Sequence, residues 1–239
     1  MRIQSWVIVL AVGLSLSGRA TADEAEDRAV AVVKKYNGDV KRDETKPNKP
    51  VVSLHFFQSE LTEEALKELL PLTSLASLDL DFTHVTSDGL KDIAQLSNLT
   101  TLNLAFTNVT DSGLTSCAEL KKLTRLGLRR TNVTDAGIKE LARIKTLSVL
   151  SLEDTSVTGM GFKDVESFDN LTYLDMHSTP LTDMGLKELV RLKNISTLNL
   201  INTKLTDEGL KSVGRMKNLT YLTLDHTDVT DAGVKELLP

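Results

Sequence analysis

Histidine, cysteine and clustered charged side chains are the groups in this sequence that could do chemistry. The four histidines, His55, His84, His177 and His226, are too far apart in sequence for two of them to share a helical turn, as zinc motifs require. Cys117 is the only cysteine, so no internal disulfide can form, and we interpret it as a small buried hydrophobic residue. Zinc-protease, phosphate-loop and serine-hydrolase motifs are absent. We therefore expect no enzymatic activity, no bound metal and no cofactor.

Charged and aromatic residues form two clusters that could bind a partner. Arg125, Arg129 and Arg130 form a predicted basic patch, and Phe82 and Phe106 could add an apolar edge. Tyrosine and arginine are common anchors of protein interfaces. The alternative is that the arginines only pair with neighbouring acids and the tyrosines only cover the structure beneath them. The basic patch is flanked by Asp79, Asp81, Glu153 and Asp154, and a second predicted cluster, the tyrosine patch, consists of Tyr173, Asp175, His177, Tyr221 and Asp225.

A repeat of 24 residues must position these clusters, because the sequence aligns with itself when it is shifted by 24 residues. In the stretch 75–98, Leu78 and Leu80 alternate with polar residues, which predicts a half-buried strand. Leu90 and Ile93 follow with helical spacing, which predicts a short helix whose apolar side faces inward. More than a dozen residues separate one strand from the next, enough for a crossover that leaves neighbouring strands parallel.

Two columns of threonine and one of glycine mark the regular repeats. The first threonine, Thr83 in this stretch, is predicted to bond the backbone of the adjacent turn. The second, Thr86, is predicted to cap the short helix, and in most repeats an aspartate follows it on the favourable side of the helix dipole. Gly89 lies in the first helical turn, where glycine is costly. Its recurrence indicates either tight packing against the neighbouring turn or a special φ.

Outward-pointing residues form three columns along the predicted sheet, which pass through Ser77, Asp79 and Asp81 in this stretch. Neighbouring strands lie about 4.8 Å apart, so eight strands make a face roughly 34 Å long. A face of that length suits a protein or peptide better than a small metabolite, which needs a closed pocket. We therefore expect a protein partner.

The segment LTRLGLRRTNVTDAGI, from Leu123 to Ile138, resembles the leucine-rich repeat family. Threonine fills the position at which the family usually has asparagine and at which one subclass, common in F-box proteins, has cysteine. The T-x-V-T-D-x-G-L form is similar to exported bacterial leucine-rich repeat proteins. The resemblance covers residues 51–239 and implies an α/β fold, a right-handed horseshoe-shaped solenoid with a parallel β-sheet on its concave face and short helices on its convex face. It also implies protein partners, without assigning any residue to their binding.

The N-terminus has the features of an export signal. Arg2 precedes an apolar stretch, residues 6–16, that is too short to span a bilayer, and A-T-A at residues 20–22 fits the small-x-small cleavage rule. We predict a signal peptide at residues 1–22, cleaved after Ala22, and a secreted or periplasmic protein with no membrane attachment. The alternative is an uncleaved anchor. Cleavage removes two arginines and no acid, so the net charge changes from −5 to −7, and this acidity disfavours nucleic acid as a partner.

The region between the signal and the repeats is predicted to be an N-terminal cap, residues 23–50. It combines a helix over 23–37, a short strand at Val40 and a polar loop over 42–50. A solenoid needs such a cap because its first repeat would otherwise expose an apolar edge to water.

The repeat domain, residues 51–239, is predicted to contain one degenerate repeat and seven regular ones, the last of them truncated. The repeat that starts at Leu147 departs most from the pattern, since Gly159 replaces its aspartate. The final repeat carries no polar cap, so we expect weak end-to-end self-association.

Two functional hypotheses follow from these features. The leading hypothesis is an exported, non-enzymatic interaction scaffold that binds a protein or an envelope polymer through its concave face. The alternative is the substrate-recognition module of an F-box-type ubiquitin ligase, which rests on resemblance to the F-box subclass. The export signal and the lack of an F-box-like helical segment before residue 51 count against that alternative.

Overall fold

The computed structural model describes residues 13–163, 165, 168–235 and 237, with side chains from residue 24 onward. Short strands and short helices alternate along the chain. The strands are β1 Asp39–Arg42, β2 Val51–His55, β3 Ser77–Asp79, β4 Thr101–Asn103, β5 Arg125–Gly127, β6 Val149–Ser151, β7 Tyr173–Asp175, β8 Thr197–Asn199 and β9 Tyr221–Thr223. The helices are α1 Gly13–Lys35, α2 Glu63–Lys67, α3 Gly89–Ile93, α4 Asp111–Cys117, α5 Asp135–Leu141, α6 Asp183–Leu189, α7 Asp207–Val213 and α8 Asp231–Lys235, with a 3₁₀ turn at Met160–Phe162.

The strands form one sheet in which each strand lies beside its neighbours in the sequence. From β2 to β9 all pairs are parallel and in the register of the repeat, so that Leu78 pairs with Leu102 and Leu102 with Leu126. Each repeat therefore adds one rung, consisting of a strand and the short helix or turn that follows it. The predicted α/β solenoid with a parallel sheet on one face is confirmed.

The hydrophobic core runs the length of the solenoid between the sheet and the helices. Leu78 and Leu80 of one rung, and Leu90 and Ile93 of its helix, are almost completely buried. Their neighbours in the core come from the rungs on either side, because a single rung has only one apolar layer.

The N-terminal segment covers the first rung as a cap would. β1 pairs antiparallel with β2 and places Val40 opposite Leu54, where a short strand was predicted. Helix α1 buries Ala29 and Val33 against the core, and Glu26 bonds the Arg42 guanidinium at 2.6 Å.

Helix α1 differs from its prediction at both ends. Gly13, the first described residue, is already helical, ahead of the predicted start at residue 23. The helix ends at Lys35, two residues before the predicted end, because Asn37 adopts a left-handed φ of 56°. The first twelve residues of the predicted signal peptide lie outside the described residues.

The first threonine column is buried and bonds backbone in its own turn. Thr83 Oγ1 donates to the Leu80 carbonyl at 2.7 Å, and the same bond to the carbonyl three residues earlier recurs in later rungs. The prediction of a bond to the adjacent turn is wrong for these threonines. The tight turn after the strand brings the carbonyl of the residue three positions earlier within reach of the hydroxyl. The prediction holds for Ser59, which donates to the Tyr36 carbonyl of the cap.

The aspartates after the second threonine join consecutive rungs, a role that the helix dipole alone did not suggest. Thr134 donates its backbone N–H to Asp111 Oδ1 at 2.8 Å and its hydroxyl to Asp111 Oδ2 at 2.7 Å. We call this pair of bonds from one rung to the carboxylate of the preceding rung the aspartate clamp. It recurs at Asp135–Thr158, Asp183–Thr206 and Asp207–Thr230.

The second threonine also caps most of the helices, as predicted. Thr62, Thr134 and Thr206 each accept a bond from a backbone N–H in the first turn. The prediction is wrong for Thr86, because α3 begins only at Gly89 and Asp88 occupies the N-cap position, without a side-chain bond to the first turn.

The recurring glycine is explained by tight packing against the preceding rung, which at Gly137, Gly209 and Gly233 presents the clamp aspartate. A Cβ on Gly209 would lie 2.2 Å from Asp183 Oδ1 and 3.1 Å from the Asp183 Cα, too close for any side chain. Among the described glycines only Gly159 has a positive φ, of 91°. Gly159 occupies the clamp position of its rung, so Thr182 in the next rung has no carboxylate to bond, and a 3₁₀ turn replaces the helix there.

We expect the substitution Asp207→Asn to lower the urea midpoint of unfolding at pH 7, because Thr230 loses a charged acceptor. Bonds from the Thr230 backbone N–H and hydroxyl hold the pKa of Asp207 below its ordinary value of 3.8. A group with a lower pKa in the folded state stabilises the fold above its unfolded pKa, and this stability is lost as the pH falls through the folded value. The difference between parent and variant should therefore be full above about pH 4 and shrink below it.

Asp231 offers the matched control, because it occupies the same place at the start of α8 and accepts no clamp bond from any described residue. The variant Asp231→Asn should unfold at the parent's urea midpoint both at pH 7 and below about pH 4. Equal losses in the two variants would contradict the clamp and assign the effect to the helix dipole.

Candidate binding face

The outward side of the sheet is a continuous surface built from the variable positions of the repeat. Residues before and after each buried strand leucine point away from the core, and the parallel register aligns them across rungs, with Arg125 between Thr101 and Val149. We call this surface the binding face. All the candidate residues except Arg130 lie in its three predicted columns.

The acidic end of the binding face is organised around Asp79. Its Oδ2 lies 2.9 Å from His55 Nδ1, and its Oδ1 accepts from Asn103 Nδ2 at 2.9 Å and from the Asp81 backbone N–H at 3.1 Å. Asp79 is thus held by the rungs on both sides, and its hydrogen-bonding capacity is largely used within the chain.

Asp81 is the less satisfied of the two acids. Burial, and then the charge of Asp79, raise the pKa of Asp81 above its ordinary value, and its Oδ1 is buried without a hydrogen-bond partner in the described chain. A carboxylate oxygen in that position favours a nearby positive charge.

Glu153 joins the two predicted patches into one. Its Oε1 lies 3.2 Å from Arg129 Nε and 3.4 Å from His177 Nδ1. Arg130 instead pairs with Asp154 at 3.2 Å, on the ridge beside the sheet. The alternative that arginines pair with neighbouring acids therefore describes Arg129 and Arg130.

An aromatic ridge, made of Phe57, Phe82 and Phe106, borders this end of the face. The rings of Phe82 and Phe106 stack with centroids 3.8 Å apart, and Phe57 meets Phe82 edge-on at 5.6 Å. Arg129 and Arg130 lie over the Phe106 ring at 5.0 and 5.4 Å. Phe57 and Phe82 still expose 51% and 38% of their surface.

The column that contains Phe82 and Phe106 has an unusual backbone conformation, which the sequence analysis did not predict. Phe82 and Phe106 have φ of 54° and 53°, in the left-handed region that bulky residues rarely adopt. The signal was present, since the equivalent positions include Asp154 and Asn202, residue types that tolerate this conformation.

The tyrosine patch is only partly accessible. Tyr221 is 60% exposed on the last strand, whereas Asp175 is only 9% exposed. Tyr173 is half-buried next to Asp175; burial, and then the Asp175 charge, raise the pKa of its hydroxyl, so Tyr173 remains protonated at neutral pH. Asp225 lies exposed two rungs beyond His177.

Between the two patches the binding face contains an open recess of about 480 Å³. The recess exists because Gly127 and Ser151 place little or no side chain between the larger Asn103 and Asp175 of the same column. Arg125 lies at its border.

The remaining candidate groups have structural surroundings. Cys117 is buried in the core, and burial raises the pKa of its thiol to about 12, so the thiol is not a nucleophile at neutral pH. In the described part of the chain, no three His, Cys, Asp or Glu side chains converge to hold a metal ion, and no helix is long and apolar enough to span a membrane.

Comparison with known proteins finds a known repeat in this chain. A family model described as "Leucine Rich repeat" matches residues 72–94, 95–116, 119–142 and 215–238. No curated protein sequence matches the chain at a significant level. Among solved structures, an internalin C2 from Listeria monocytogenes is similar, with a TM-score of 0.63 and 22% identity over 88% of each chain, a likeness that concerns the fold alone. The matched stretches are leucine-rich repeats, and the solenoid has the leucine-rich repeat fold.

Proposed function

We propose that this leucine-rich repeat protein is an exported scaffold that binds a protein partner, or an envelope polymer, through its binding face. The observation that carries the proposal is the concentration of charged and aromatic side chains at sheet positions that the repeat leaves variable. These residues do not stack the rungs, yet they form one connected surface in which Glu153 links Arg129 to His177. Aromatic residues and arginine are enriched at the centres of protein interfaces.

Charge supports a partner with basic groups. Asp79 and Asp81 lie together at one end of the binding face and Asp225 at the other, while Arg129 and Arg130 are paired with acids. The whole chain is also acidic, with a net charge of −5. Association with a basic partner would therefore be accelerated at low ionic strength.

We expect the combined substitution of Tyr173, Tyr221 and Arg129 by alanine to lower the recovery of cross-linked partners at least tenfold, since a few such anchors dominate interface energies. The measurement is quantitative mass spectrometry of proteins cross-linked to the tagged full chain in its native host. The matched control replaces Arg143, Met184 and Lys187 on the helical side, which expose similar side chains away from the binding face.

The control variant should recover the parent's partners. Equal recovery by both triple variants, each with the parent's circular dichroism spectrum, would refute the binding face as the interface. A loss confined to the helical-side variant would move the interface to the convex surface.

We also propose that residues 1–22 are removed on export. Among the described side chains of α1, Glu26 pairs with Arg42, and Ala29 and Val33 pack on the core; all three lie beyond Ala22, so cleavage after Ala22 would leave these contacts in place. We expect the mass of protein recovered from the medium or the periplasm to begin at Asp23. A soluble cytosolic protein with an intact Met1 would contradict export and favour the alternative, an intracellular substrate-recognition module.

The last rung supports a second interaction, between two copies of this chain. Leu222 and Leu224 are only partly buried, whereas the equivalent Leu198 and Leu200 are fully buried by the rung that follows them. We propose that two copies of the chain associate weakly through this rung, so that each copy covers the partly buried leucines of the other.

We expect sedimentation velocity to show an average mass that rises with concentration, because the half-buried leucines lose water only on association. The variant Val234→Lys, at an exposed apolar position of α8, should remain monomeric over the same range. A monodisperse parent at the highest concentration would contradict the proposal.

A further inference from the structure

The recess at the centre of the binding face has a defined shape. Arg125 and Tyr173 lie in the same column two rungs apart, so their backbones are separated by about 10 Å, with the smaller Val149 between them. In the next column Gly127 and Ser151 form the floor. The volume of about 480 Å³ lies within the range of ligand pockets, and the opening is wide enough for a side chain from another molecule.

Arg125 differs from the other two arginines of the basic patch. Arg129 and Arg130 each have a carboxylate within 3.2 Å and also lie over the Phe106 ring. Arg125 is exposed and forms no ion pair with any described residue. Its guanidinium is therefore the cation of the binding face whose five donors remain available.

The acid on the opposite wall is already engaged. Asp175 is buried, its Oδ1 accepts the His177 backbone N–H at 3.0 Å, and its charge lies against the Tyr173 hydroxyl. The recess thus offers the donors of Arg125 at one end, the Ser151 hydroxyl on the floor and an occupied carboxylate at the other end. An incoming group that accepts hydrogen bonds and carries negative charge complements this arrangement, and a bidentate carboxylate matches the guanidinium fork.

We propose that the recess is the anchor pocket for a glutamate side chain of the protein partner, bound by Arg125. The carboxylate pairs with the guanidinium, and the methylene groups of the glutamate pack against Val149 and the Tyr173 ring. The inference rests on the proposed function of the binding face and assigns it one acidic contact within a largely acidic surface. Such a contact fixes register, because every other acidic group of the partner is repelled by Asp79, Asp81 and Asp225.

The test uses N-acetyl-glutamate N-methylamide as the probe and the amide resonances of the full chain as the readout. We expect saturable shifts confined to Gly127, Val149, Ser151 and their neighbours, with a dissociation constant on the order of 1 mM for so small a ligand. The glutamine analogue, which has the same shape without the charge, should bind at least tenfold more weakly. Equal shifts from both probes, or no saturable shift, would overturn the proposal.

Three variants separate charge from structure. Arg125→Gln should abolish the shifts, and Ser151→Phe should do so by filling the floor while leaving the charge. Arg143→Gln is the control, because Arg143 is also a partly exposed arginine but lies on the helical side beside Glu140. Shifts that persist in Arg125→Gln, or that vanish equally in Arg143→Gln, would overturn the assignment.

The outcome can be distinguished from failure of the binding face itself. If partner recovery falls in the triple alanine variant but is unchanged in Arg125→Gln, the binding face is the interface and the assignment of the recess as a glutamate pocket is wrong. If the probe binds through Arg125 while the triple variant recovers every partner, the pocket exists and the proposed function is wrong.

Discussion

A single rung of this solenoid cannot bury its own leucines. Each rung supplies one layer of apolar side chains, such as Leu78 and Leu90, and these are removed from water only when a rung lies on each side. Every other feature depends on this constraint. The cap formed by α1 and β1 meets it at one end, and the partly buried Leu222 and Leu224 show its consequence at the other.

The aspartate clamp sets the spacing of rungs on the helical side, as backbone pairing does on the sheet side. The carboxylate reaches into the next rung to bond a threonine N–H and hydroxyl, and the space it occupies excludes a Cβ on the following glycine. Threonine, aspartate and glycine are therefore one device distributed over two rungs. Where Gly159 replaces the aspartate, the bonds disappear and the helix becomes a 3₁₀ turn.

Because stacking is achieved by these columns, the outward positions of the strands are free to vary. The chain uses this freedom unevenly. Glu153 connects Arg129 with His177, and the stacked Phe82 and Phe106 occupy a left-handed backbone that costs free energy without contributing to the core. The same left-handed φ recurs at Gln58, Arg130 and Asn202 in other rungs, so it belongs to the turn of the repeat, and only the choice of aromatic side chains is particular to this end of the surface.

The sequence by itself determined the repeat, the parallel sheet, the buried leucines and the columns that face outward, because these follow from local periodicity of two and of about 3.6 residues. It left open why glycine recurs. The tertiary structure decided that Gly209 packs on Asp183, and that Asp81 Oδ1 has no hydrogen-bond partner among the described residues whereas Asp79 Oδ1 bonds Asn103. It also placed an open recess beside Arg125. These depend on distances between rungs 24 residues apart, which periodicity aligns but does not measure.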